Sequence, residues 1–199
     1  LLKKHAKDAD LLQRAGVCHG QLGRYDRAAD YLGRAARSRP NVSIWVNCGV
    51  ALQLARRFDA AHRAFDQAIR LEKTPGLALS RKGNLLMMQG RAAEAYDLLE
   101  DAASADDVDH TVADVFGRAA RSVGKLDEGL AVVGRVLDRS EVVGPARAEL
   151  LFRRGHLADA RGDYDDAFAA FDEANAIKRT PYDAAGHSAI VDATIERWS

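Results

Sequence analysis

Apolar residues along this chain recur three and four positions apart rather than at every second residue, so the pattern predicts helices throughout. The periodic stretches come in pairs: 9–22 with 25–37, 42–55 with 58–71, 76–89 with 92–103, 110–123 with 126–139, and 146–161 with 164–178. The second stretch of each pair carries a small, a large and another small residue on one stripe. These are Ala28, Leu32, Ala35; Ala61, Phe65, Ala68; Ala95, Leu99, Ala102; Gly129, Val133, Val136; and Ala167, Phe171, Ala174. Steps of four and three put each triplet on one helix face, shaped to meet another helix closely.

Glycine supplies the period. Gly16, Gly49, Gly83, Gly117 and Gly155 follow one another at steps of 33, 34, 34 and 38 residues, each inside a first stretch. Glycine in a helix interior costs about 1 kcal/mol relative to alanine, so five of them at one period need a common cause. Close approach of a neighbouring helix, with no room for a β-carbon, is that cause. A second series, Gly23, Arg56, Gly90, Gly124 and Gly162, lies seven residues further on, where four of five are the residue that ends helices in the left-handed conformation. Strings such as Gly23-Arg24-Tyr25-Asp26 and Gly162-Asp163-Tyr164-Asp165 then predict a tight turn with an N-cap for the next helix. Pro40, Pro75, Pro145 and Pro181 all fall where one pair stops and the next begins.

A helix–turn–helix unit at this period resembles the tetratricopeptide repeat. The second unit carries the likeness best, with Trp45, Cys48-Gly49, Leu52, Phe58, Ala61, Phe65 and Ala68. The first gives Leu12, Gly16, Tyr25, Ala28, Leu32, Ala35 and Pro40, and the fourth is the weakest, with Ala113, Gly129 and Val136 at key places. Lys82 and Arg154 stand in a slot that is apolar in most members. The resemblance implies an all-α, right-handed α-solenoid of five units, 9–41, 42–75, 76–109, 110–143 and 148–181. Residues 1–8 read as the tail of a preceding helix, and with neither an initiator Met nor an apolar signal segment the chain looks like a piece of a longer one. Residues 182–199 read as a capping or linker helix with Ala184, Val191, Ile195 and Trp198 on one stripe. The extra residues around Val143-Gly144-Pro145 are expected to alter the superhelical step before the fifth unit.

Solenoids of this kind bind proteins or peptides in a concave groove lined by the first helix of each pair. The resemblance places three groove positions per unit: Gln13, Arg14, Val17; Val46, Asn47, Val50; Ser80, Arg81, Asn84; Asp114, Val115, Arg118; and Phe152, Arg153, His156. Arg14, Asn47, Arg81, Asn84, Arg118 and Arg153 are the candidate binding residues, since guanidinium forks and amides suit a carboxylate or an acidic peptide. Asn47 and Arg81 match two slots of the clamp with which some members hold a C-terminal carboxylate, whereas Gln13, Val17 and Leu77 replace the others.

Composition adds exclusions. With 47% hydrophobic and 29% charged residues the chain is of globular type. Its 29 basic and 29 acidic residues balance, so no nucleic-acid partner is expected. No apolar run approaches the roughly 20 residues that span a bilayer, so no membrane partner is expected either. Cys18 and Cys48 read as buried or half-buried reduced thiols in a cytoplasmic chain. Cys18-His19 lacks metal-ligand spacing, and neither a phosphate-binding loop nor a nucleophile elbow is present. No catalytic residue, metal site or cofactor is therefore expected. The zero net charge conceals a gradient: residues 1–100 hold 17 basic and 10 acidic side chains, residues 101–199 hold 12 and 19. Such poles predict weak, salt-sensitive self-association.

Residues 162–195, from Gly162-Asp163-Tyr164-Asp165 through Lys178-Arg179 and Tyr182 to Ile195, also resemble the junction at which tetratricopeptide repeats precede a bacterial sulfotransferase domain. This likeness implies, as the alternative function, a non-catalytic accessory domain. That family's phosphosulfate-binding loop is not in the sequence.

Overall fold

The computed structural model describes residues 8–73 and 76–178. They form ten helices: α1 (Ala9–Gln21), α2 (Tyr25–Ser38), α3 (Val42–Leu54), α4 (Phe58–Leu71), α5 (Leu77–Met88), α6 (Ala92–Ser104), α7 (His110–Ser122), α8 (Leu126–Leu137), α9 (Gly144–Arg161) and α10 (Tyr164–Lys178). Every helix starts and stops within two residues of the expected stretch. Each pairs with the next along the chain, and the odd-numbered helices also touch in a row, α1 with α3, α3 with α5, α5 with α7 and α7 with α9. No pair of even-numbered helices packs to that extent among the described residues. The layer whose members lie closer together is the inside of the curve, so α1, α3, α5, α7 and α9 line the concave face of an all-α solenoid. The helix tail read in residues 1–8 falls almost wholly outside the described residues, and the capping helix read in 182–199 does so entirely.

The packing glycines find the partners that the periodicity implied. A β-carbon on Gly16 would lie 2.5 Å from Leu32 Cγ, on Gly49 2.5 Å from Phe65 Cε1, and on Gly83 2.9 Å from Leu99 Cδ1. On Gly155 it would lie 2.5 Å from Phe171 Cε1. In each unit the large residue of the second helix thus lies across the glycine of the first. Gly117 extends the rule, since Val133 is one neighbour at 3.2 Å and the stem of Arg153 from the next unit is nearer, at 2.8 Å. Phe65, Leu99 and Val133 are fully buried as a result.

The turns within units close with one repeated bond. The amides of Arg24, Arg57, Arg91, Lys125 and Asp163 donate to the carbonyls of His19, Leu52, Leu86, Ala120 and Ala158 at 2.8–2.9 Å. This is the six-to-one bond of a Schellman ending, and it requires a left-handed residue just before the donor. Glycine supplies it four times, and Arg56 adopts φ +58° in its place.

The expected side-chain N-caps at these turns are absent. Arg24, Arg57, Arg91 and Lys125 occupy the cap position and make no side-chain cap bond, because a cationic side chain has no acceptor to offer an amide. Asp26 and Asp59 stand inside the first turn, where their charge meets the helix dipole. Side-chain caps fall at the turns before units instead, from Asp8, Asn41 and Asp109. The extra residues before the fifth unit lengthen α9 to 18 residues, with Pro145 in its first turn. The two charged slot residues are neutralised: Lys82 Nζ donates to Asp66 at 2.6 Å and Arg154 to Asp166 at 2.5 Å. Cys48 is buried as expected, whereas Cys18, on α1, is exposed.

Candidate functional site

The concave face is built from one stripe per odd-numbered helix. In the central register Arg14, Asn47 and Arg81 are exposed, while Val115 is buried and Arg153 half-buried. In the flanking register Asn84 and Arg118 are half-buried, and Val46 and Ser80 close the floor.

The six candidate residues divide into two groups. Arg118 Nη1 donates to Asn84 Oδ1 at 2.6 Å, from α7 to α5. Arg153 Nε and Nη2 both reach Asp114 Oδ1 at 3.0 Å, from α9 to α7. Burial pulls the Arg153 guanidinium below its ordinary value, and Asp114 counters that pull. Partial burial and the charges of Arg153 and Arg121 likewise hold His156 below the usual imidazole range. Arg14, Asn47 and Arg81 make no such pair among the described residues, so their donors face the groove. The groove thus offers uncommitted cations at its α1–α5 end and a preset, internally bonded network at its α5–α9 end. The cross-unit bonds link residues about one repeat apart, 84 with 118 and 114 with 153. A donor and an acceptor one period apart are the signal that would have disclosed them.

No metal site accompanies the groove: among the described residues no group of three or more His, Cys, Asp or Glu side chains converges. Nor is any described helix long and apolar enough to cross a membrane.

Stacked helix pairs, with a glycine of the first helix under a large apolar residue of the second and the odd-numbered helices on the inner face, define the class. A tetratricopeptide repeat model matches residues 49–110 and 115–184, and another matches 9–42; the chain belongs to the tetratricopeptide repeat family. TPR repeat-containing protein MJ1428 of Methanocaldococcus jannaschii is 25% identical over 152 residues, which make up 76% of this chain and 26% of that protein. The chain therefore spans about a quarter of the length of that relative.

Similar solved structures include MamA from Desulfovibrio magneticus RS-1, with TM-score 0.64 and 20% identity over 87% of this chain and 97% of that one. PilW, a widely conserved type IV pilus biogenesis factor, gives TM-score 0.65 and 22% identity over 95% and 86% of the two chains. YrrB, a TPR protein with an unusual peptide-binding site, gives 0.58 and 18% over 88% and 89%. At these identities the likeness is one of fold. These proteins lend no support to the sulfotransferase junction read in residues 162–195, and its part beyond residue 178 lies outside the described residues.

Proposed function

We propose that this chain is a non-catalytic protein-binding scaffold whose concave groove receives an acidic peptide segment. The observation that carries this reading is the pair of exposed, uncommitted arginines on the groove face, Arg14 and Arg81, with the Asn47 amide one unit from Arg81 in the same register. Guanidinium forks facing an open groove suit carboxylates. Arg118, oriented by Asn84, extends the same surface. Arg153 is already held by Asp114 and contributes less.

An acidic peptide with a free C-terminal carboxylate, titrated by fluorescence polarisation, tests the reading. Arg81→Ala and Arg118→Ala should each weaken binding, and added salt should weaken it further. Arg91→Ala should leave it unchanged, because that side chain is tied to Glu94 outside the groove. Indifference to all three substitutions overturns the reading. The opposite charges of the two halves support weak association between copies, which sedimentation velocity would detect at low salt and lose above roughly 0.3 M.

A further inference from the structure

A large cleft lies outside the groove. It holds about 740 Å³ between α2 and α4, above α3. Its floor includes Trp45, Cys48 and Leu52, and at about 100° per residue these lie on the side of α3 opposite Val46, Asn47 and Val50. The cleft therefore opens away from the groove, on the outer face.

Its origin is legible in the repeat. One unit on, the equivalent cleft is lined by Lys82, Leu86, Arg91, Glu94 and Asp97 and holds about 510 Å³. There Asp66 and Lys82 bridge it at 2.6 Å. At the corresponding positions of the first junction stand Gly33 and Cys48, so no ion pair forms there, and Cys48 Sγ lies 3.7 Å from the Ala29 carbonyl of α2. A β-carbon on Gly33 would still lie 3.6 Å from Cys48 Sγ.

The charge differs as well. Arg34, Arg37, Arg57 and Arg63 line this cleft, with Asp30 as the lone carboxylate in the lining. One unit on, the counterparts of Arg34 and Arg63 are Gln67 and Asp97, and the counterpart of Arg57 is Arg91, which Glu94 neutralises. Arg57 has Ala60 in place of that glutamate and reaches only Asp26 and Asp30, at 3.6 and 3.9 Å. Arg37 and Arg63 are exposed and make no ion pair among the described residues.

We infer that this outer cleft is a second binding site, separate from the concave groove, for an extended acidic peptide segment carrying an apolar side chain. The exposed guanidinium groups of Arg37 and Arg63 beside an apolar floor fit carboxylates flanking one apolar residue. The lining runs from residue 29 to 37 on α2 and from 57, the cap of α4, to 67 on that helix, about 12 to 15 Å at the helical rise. That length takes about three to five extended residues.

The test uses a labelled synthetic peptide in which Asp and Glu alternate with Phe and Leu, and its Asn/Gln counterpart. The acidic peptide should bind the whole chain and the neutral one should not. The double variant R37E/R63E should weaken binding about tenfold or more, since it reverses two exposed charges that anchor no other side chain. The double variant G33D/C48K rebuilds the ion pair of the next junction and should abolish binding by closing the cleft. R14A/R81A removes the groove's own share of binding, and the loss caused by R37E/R63E should be the same in that background. Circular dichroism melting establishes that each variant is folded, and R37E/R63E decides the matter if G33D/C48K does not fold. Absence of binding, indifference to the cleft variants, or loss only in R14A/R81A overturns the inference; that last outcome would favour the groove instead. Binding of anionic lipid vesicles or single-stranded oligonucleotide at this cleft, in place of the peptide, also overturns it.

Discussion

The two outer clefts are the same place in the repeat, one unit apart, and they differ by a few side chains. Between the second and third units Asp66, Lys82, Arg91 and Glu94 pair among themselves. Between the first and second, Gly33 and Cys48 stand in place of that pair, and Arg37 and Arg63 are exposed without an ion pair among the described residues. The backbone frame is shared, so the contrast isolates what side chains alone decide. A charged pair across the slot ties one junction together; two small residues there leave the other without that tie, beside the exposed Arg37 and Arg63.

The C-terminal half extends the contrast. Its arginines serve the fold: Arg135 donates to Ala103 O at 2.5 Å, Arg139 to Val108 O at 2.7 Å, and Arg147 to Leu137 O at 2.8 Å. The buried thiol at the open junction does not add reactivity. Burial pushes Cys48 up to about 11, and the charges of Arg37 and Arg57 offset this only in part. Cys48 is therefore a protonated floor of the cleft near neutral pH.

The largest effect should come from breaking the shared frame. Gly83→Leu drives a side chain into Leu99 and Val115, at 2.9 and 3.1 Å from the position of its β-carbon. Overpacking of this kind costs about 1–3 kcal/mol or more. Gly76→Ala meets nothing nearer than 3.7 Å and should cost far less. Chemical denaturation of the two variants checks the difference; equal losses would mean that Gly83 is not a packing glycine.

The second effect separates the junctions. Asp66→Ala leaves the Lys82 ammonium, whose side chain is 22% exposed, without its partner. The expected loss is about 1 kcal/mol, at the upper end for a partly solvated pair. Arg63→Ala at the open junction removes an exposed side chain with no ion pair, so stability should stay within about 0.5 kcal/mol. Thermal melts of both variants decide this. A larger loss for Arg63→Ala would show that the outer arginines are structural.

Most of the frame was legible in the sequence, because period, helix pairing and glycine packing are all set by residues that recur. Gly49 and Phe65 announce each other at a fixed spacing. The turn chemistry was read less well: Asp26 and Asp59 look like caps, but the Schellman bond places Arg24 and Arg57 at the cap position instead. The groove positions follow from the period, whereas their division into bonded and uncommitted groups needs the distance between neighbouring units. The outer cleft was missed because reading a repeat favours what is present in every unit. This feature consists of two residues, Gly33 and Cys48, that lack what their counterparts have.

The smallest effect is the most specific to the comparison. Gly33 is a buried helical glycine with room for a methyl group: its β-carbon would sit 3.4 Å from Arg37 Nη1 and make ordinary contact with Cys48 Sγ at 3.6 Å. The first contact is with the end of a flexible exposed side chain, which can move by the few tenths of an ångström required. Alanine is favoured over glycine in a helix interior by up to about 1 kcal/mol, so Gly33→Ala should raise stability by about 0.5–1 kcal/mol. Gly49→Ala, sixteen residues on, should do the reverse, because its β-carbon would lie 2.5 Å from the Phe65 ring. Opposite signs in paired denaturation curves would establish that one glycine is required by close packing and the other is not. A loss of stability in Gly33→Ala would mean that α2 and α3 close on each other more tightly there, leaving no cleft for a ligand to enter.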